Sequence, residues 1–155
     1  MEIVIWVISL TLAITVHEYA HAYVSYRLGD PTPKKEGRLT LNPIKHIDLI
    51  GLICLVFLGF GWAAPVRVDP RYYKDERKGV IQVALAGPLA NFILVIVGVI
   101  LAFILRIIGV NVILLNRFLA MLITINLLLG IFNLIPLAPL DGSKIVMGLI
   151  PQSRF

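Results

Sequence analysis

The sequence predicts an all-α polytopic membrane protein with three transmembrane helices, a re-entrant loop and a short β-hairpin. Three observations carry that prediction. The chain of 155 residues is 59% hydrophobic and 15% charged. Its mean hydropathy of +0.92 implies more apolar surface than a soluble domain of this length can hide. Long uncharged runs recur along it, and basic residues gather in the connectors between them, as the positive-inside rule requires of cytoplasmic loops.

The first span covers 1–28. Ile3 to Val16 carries no charge, and Gly29-Asp30-Pro31 stops the run as a helix. A cleaved signal peptide would open on basic residues, whereas this chain opens Met1-Glu2, so the helix is expected to be retained. Region 37–70 follows. In GRLTLNP (Gly37 to Pro43), Leu39 and Leu41 alternate with Arg38, Thr40 and Asn42. APVRVDP (Ala64 to Pro70) alternates Val66 and Val68 with Arg67 and Asp69. That period of two is a strand's, and the two stretches could pair as a hairpin.

Between them, Leu49 to Val66 is uncharged but broken by Gly51, Gly59, Gly61 and Pro65. Arg27, Lys34, Lys35, Arg38 and Lys45 precede it; Arg67, Arg71, Lys74, Arg77 and Lys78 follow it. Basic flanks on both sides put both ends in the cytoplasm, so the segment enters the membrane and returns, its glycines suiting a turn buried in protein. The second span is 80–105, 26 residues without a charge, and the third is 118–135, ending before Pro136. About 20 apolar residues suffice to cross a bilayer. Residues 136–155 carry an Asp-Gly motif and begin a further helix. The N-terminus is then outside, the first span runs inward, the second outward and the third inward, in one membrane-embedded unit over 1–155.

Composition also excludes. The formal charge of +5 comes with no groove-reading motif, so nucleic acid is not an expected partner. Cys54 is the single cysteine, which rules out an intramolecular disulfide and a thiolate metal cluster.

The chemistry begins at HEYAH, His17 to His21. Histidines four apart on a helix project from one face, a turn apart, and can reach one zinc ion. Glu18, beside the first ligand, can act as general base toward a metal-activated water. Three ionisable groups at the end of a spanning helix are expensive unless compensated, and a cation compensates them. A third ligand is required, and His46, Asp48 and Asp141 are the candidates. The re-entrant topology brings Asp141 to the same cytoplasmic side as HEYAH, whereas a full crossing by 49–66 would put it on the opposite face. Asp141 is therefore the expected third ligand, with one zinc per chain.

Three asparagines remain in the apolar runs. Asn126 is read as an interhelical hydrogen bonder. Asn91 and Asn133 either do the same or face a water-filled cavity, where they could hold a substrate's backbone or oxyanion. Ser143 and Lys144 begin a helix after the Asp-Gly turn, and Lys144 could sit near the metal.

HEYAH in a first apolar helix, AGPLANF (Ala86 to Phe92) in a middle one and NLIPLAPLDG (Asn133 to Gly142) after a later one resemble the site-2 protease family of intramembrane zinc metalloproteases. GRLTLNPIKHIDLIG and GFGWAAPVRVDP are similar to its compact prokaryotic branch. The resemblance implies His17, His21 and Asp141 as zinc ligands, Glu18 as catalytic base, and Asn91 and Asn133 as substrate-binding residues. It implies cleavage within or near transmembrane segments of membrane-protein substrates, at the cytoplasmic side of a prokaryotic inner membrane. Compact members carry more hydrophobic helices past the Asp-Gly motif than this chain contains. A homodimer is compatible with the sequence. Two rival functions make different demands. A metal transporter needs a polar line across the bilayer, where the second span offers Gln82 and Asn91; an inactive scaffold has no need of Glu18, which is present.

Overall fold

A computed structural model describes residues 1–58 and 61–150; Gly59, expected at the re-entrant tip, and 151–155 lie outside the described residues. Six α-helices are formed among those described: α1 (Glu2–Arg27), α2 (Thr32–Lys35), α3 (Leu49–Leu58), α4 (Glu76–Ile107), α5 (Ile113–Asn133) and α6 (Asp141–Leu149). The expected three, α1, α4 and α5, are long and apolar enough to cross a membrane.

Helix α4 is the central element, packing against α1, α5 and α6, while α1 also touches α5. Glu2 and Arg117 pair at 2.6 Å, so α1 and α5 start at the same end and run parallel, with α4 antiparallel to both. On the far side of α4, Ile93, Ile96, Ile100, Phe103 and Ile107 are each more than half exposed, a surface suited to lipid. The inner faces are small and polar instead: Ser9, Ala13, Ala84, Asn91 and Asn126 are at most 1% exposed, as expected where spanning helices approach closely.

Local chemistry sets the boundaries. Gly29, at φ +106°, takes the left-handed conformation that closes α1, a position that disfavours any side chain. The Asp75 carboxylate accepts the Lys78 N–H at 3.0 Å and caps α4, which therefore starts ahead of the uncharged run. Arg117 lies inside α5 because Glu2 neutralises it, so α5 also begins earlier than 118.

Asp30 fixes how α1 meets the approach to α4. Fully buried, it accepts the Ser25 hydroxyl, the Thr32 N–H and the Asp69 N–H, each at 2.8 Å. With the Ser25 proton committed there, the Tyr73 hydroxyl donates to Ser25 Oγ at 2.7 Å. Burial pushes the Asp30 carboxyl upward, but the bonds from Thr32, Asp69 and Ser25 outweigh it and hold the group below the usual carboxylate range.

The expected hairpin is replaced by turns. Among the described residues there is no strand, and the one β-bridge pairs Ile47 with Ala63. The alternating leucines were outweighed by polar side chains that bond the local backbone. Thr40 Oγ1 accepts the Asn42 N–H at 3.1 Å, and Asn42 Oδ1 accepts the Ile44 N–H at 3.1 Å, capping a 3-10 turn at Pro43–Lys45. Arg38 donates to the carbonyls of Lys45 and Ala64.

Helix α3 has ten residues, about 15 Å, or half a bilayer's hydrocarbon thickness. The chain that follows it comes back to where it entered: the Ala64 N–H donates to the His46 carbonyl at 3.0 Å, beside the Ile47–Ala63 bridge.

Candidate metal centre

His17 and His21 lie on the α1 face turned to α4, both buried, their rings edge-to-face at 4.6 Å. Antiparallel α4 meets them with Val83, Gly87 and Asn91, four residues apart and so on one stripe. Asn91 Oδ1 accepts from His17 Nδ1 at 2.6 Å, and the Val83 carbonyl accepts from His21 Nδ1 at 2.7 Å. Gly87 sits where the rings press closest: a Cβ there would lie 2.5 Å from His17 Cε1 and from His21 Nε2. Pro88 has no N–H to give to the preceding turn of α4. The AGPLAN stretch thus supplies a gap for two imidazoles and an acceptor for one of them.

Asp141 arrives from the other direction, in the first turn of α6. Gly142 lets that turn close against the end of α5, because a Cβ would strike the carbonyls of Leu134 and Ile135. Its service is close approach rather than the tight turn read from the Asp-Gly pair. Asp141 Oδ2 lies 3.2 Å from His17 Nε2 and 3.0 Å from His21 Nε2, and the two Nε2 atoms are 3.0 Å apart. Lys144 donates to the other oxygen, Oδ1, at 3.0 Å.

These distances test whether a cation fits. A neutral imidazole carries one proton, and here Nδ1 uses it on Asn91 or Val83. Both Nε2 lone pairs then face each other and a carboxylate. Only a positive species, a proton or a metal ion, can stabilise that convergence. Two imidazole nitrogens and one carboxylate oxygen are a donor set suited to catalytic zinc. Among the described residues, His17, His21 and Asp141 form the group able to hold a metal.

The other candidates fall elsewhere. His46 is fully buried and donates from Nε2 to the Thr40 carbonyl at 2.8 Å; Asp48 accepts the Gly51 N–H at 2.7 Å. A cavity of about 370 Å³ opens onto the donors and is also lined by Glu18, Val66, Asn133 and Lys144. Glu18 Oε2 accepts the Val66 N–H at 2.9 Å. Asn133 donates to the Leu129 carbonyl at 3.0 Å. Asn91 is not among the lining residues; it is fully buried and its amide oxygen meets His17 Nδ1 rather than the cavity. Sequence reasoning missed Val83 and Gly87, although their spacing of four ahead of Asn91 was available as a signal.

The Bacillus subtilis protein named "Putative zinc metalloprotease YwhC" is 45% identical over 150 residues, covering 94% of this chain and 68% of its own length. So extensive an alignment takes in both HEYAH and Asp141. The chain belongs to the M50 peptidases. The profile of peptidase family M50 matches residues 108–154, and this is the site-2 protease family. The M50 assignment makes the chain a metalloprotease with zinc as its metal. The zinc metalloprotease MJ0392 of Methanocaldococcus jannaschii is 27% identical over 147 residues, with 94% of this chain and 34% of that protein covered. A Mycobacterium tuberculosis protein, Rip2, is 30% identical over 148 residues, with 92% and 54% covered. The chain thus spans from about a third to about two thirds of these M50 relatives. No solved structure matches it.

Proposed function

We propose that this M50 chain is an intramembrane endopeptidase that hydrolyses peptide bonds within or near the transmembrane segments of membrane proteins. The observation that carries the reading is the meeting of His17, His21 and Asp141 beside Glu18 in one cavity, within a bundle whose outer faces are apolar and exposed.

His17 Nε2, His21 Nε2 and an oxygen of Asp141 would hold the zinc. When bound, zinc supplies Lewis-acid activation of water and of the scissile carbonyl. Glu18 accepts the attacking water's proton on its carboxylate and returns it to the leaving nitrogen. The Val66 N–H on Oε2 keeps that carboxylate turned toward the cavity. Asn133 donates its own N–H to α5, leaving its carbonyl to take a main-chain N–H of the substrate. Asn91 acts behind His17 rather than on substrate.

The edge that receives an unwound substrate is formed by Pro65, Val66 and Val68, which line the cavity; main-chain hydrogen bonds along this stretch would offset the helix the substrate gives up. The segment 49–66 dips into the bilayer and returns, since α3 is too short to cross and its two flanks meet. Arg27, Lys34 and Lys35, which follow the HEYAH turn, support an active site on the cytoplasmic side of the membrane, which the family resemblance would make a prokaryotic inner membrane. The unit spans 1–155, with spans at α1, α4 and α5.

Co-expression with a single-span reporter protein tests the assignment. Glu18→Gln keeps its zinc and loses cleavage, while His17→Ala loses both. Cleavage by purified Glu18→Gln protein would refute the mechanism.

A further inference from the structure

The hydrogen bonds behind His17 run in one direction, and their origin lies on a different helix. Asn126 Nδ2 donates to the Leu122 carbonyl, one turn back in α5, at 2.8 Å. A main-chain carbonyl can only accept, so this bond fixes which way the Asn126 amide is turned. Its Oδ1 must then face Asn91, whose Nδ2 donates to it at 2.8 Å and to the Ala13 carbonyl at 3.2 Å. Asn91 Oδ1 is thereby turned to His17 and can only accept, so Nδ1 of that ring carries the proton. The lone pair is left on Nε2, toward His21 and Asp141. Both asparagines are fully buried, so water does not compete for either amide.

We propose that Asn126 is a positioning residue for the metal centre, setting through Asn91 the tautomer and orientation of His17. The proposal rests on reading His17 as a zinc ligand. It gives Asn126 more than the packing role of an interhelical hydrogen bond. A carbonyl of α5 thus dictates, through two amides, which nitrogen His17 of α1 presents to His21 and Asp141. Groups that orient a ligating histidine are worth about 10–100-fold in metal affinity when they touch it directly; one bond further back, a smaller but measurable share is expected.

The test uses the purified chain in detergent, stripped of metal and titrated with zinc against a chelator and with cobalt(II) for its visible spectrum. Asn126→Ser is the first variant, because its hydroxyl can still bond the Leu122 carbonyl but is too short to reach Asn91. Asn126→Leu, which removes both bonds, is the second and decides the matter should the serine variant fail to fold. Each should weaken zinc binding about threefold to tenfold, short of the direct-partner range, and alter the cobalt absorption. In an Asn91→Ala background neither should weaken it further. Wild-type affinity and an unchanged cobalt spectrum in the folded Asn126 variants would overturn the relay, as would losses that add in the double variants. His17→Ala in the same titration separates the two readings: if it binds zinc as the wild type does, the ligand assignment fails and takes the relay with it.

Discussion

Two regions of this chain are built on opposite plans. Around His17 and His21, hydrogen bonds join α1, α4 and α5 over long sequence distances, through side chains without solvent access. His17 reaches Asn91, Asn91 reaches Asn126, and Asp141 closes the group from α6. From Gly37 to His46 most bonds are local, spanning a few residues, with Arg38 and His46 reaching out to Ala64, and Leu41 and Ile44 stay 60% and 79% exposed. The first region holds donor atoms to a fraction of an ångström because rigid helices supply them. The second turns polar side chains onto nearby backbone and leaves Leu41 and Ile44 exposed. Chemistry that needs fixed ligands is placed on the helices, and the more adaptable border is left to the connectors.

The largest effect should come from disturbing the first region at its tightest point. Gly87→Ala puts a methyl group where both imidazoles already lie, so a ring or a helix must move. We expect zinc affinity to fall at least tenfold, with a loss of about 1–3 kcal/mol in stability of the kind that overpacking produces. Titration of the metal-free variant with zinc and its thermal melting check the two parts separately. A variant with wild-type zinc affinity would show that the rings are less constrained than their surroundings imply.

A smaller effect is expected at Asp30, which joins the two plans by tying the end of α1 to the chain leading into α4. Asp30→Asn sets an NH₂ group against donors that now share the carboxylate, at a cost of about 1–3 kcal/mol. Because the folded carboxyl titrates below its unfolded value of about 3.9, its contribution is complete above that pH. The contribution is lost as the pH falls through the folded value. The melting difference between wild type and Asp30→Asn should thus hold steady from neutral pH to about pH 4 and narrow below it. A gap that widens on acidification would contradict the assigned role.

The contrast also explains how much could be read from the sequence. The three spans and the HEYAH pair were legible because helix length, apolar composition and a spacing of four are local properties. Asp141 was singled out by a topology argued from the basic flanks of 49–66, and its carboxylate does lie beside His17 and His21. Asn91 was found but expected to hold substrate, because nothing in AGPLANF tells which way an amide points once three helices meet. Asn126 was read as an interhelical hydrogen bonder, and it does bond Asn91 across helices; its reach toward His17 was not legible, because it depends on Leu122, Asn91 and His17 being aligned in space. The hairpin was overread because alternation of Leu39 and Leu41 is equally compatible with turns. There Thr40 and Asn42 bond their own neighbours, and such local competition leaves no periodic mark.

The smallest effect is expected at Leu41, and it tests the contrast from the other side. Its side chain is mostly exposed, and its neighbours are held by the Thr40 and Asn42 side chains rather than by apolar packing. Leu41→Ser therefore removes no core contact and strands no buried polar group, the two mechanisms by which single substitutions usually become severe. Its thermal stability in detergent should stay within about 0.5 kcal/mol of wild type, and its zinc affinity should be unchanged. A loss comparable to that of Gly87→Ala would mean that this connector is anchored as firmly as the helices. Cleavage of a membrane-anchored reporter is the informative companion measurement. If Pro65 to Val68 receives the substrate, Leu41→Ser leaves the rate close to wild type, whereas a sharp fall without a change in stability would put the docking edge at Leu39 and Leu41 instead.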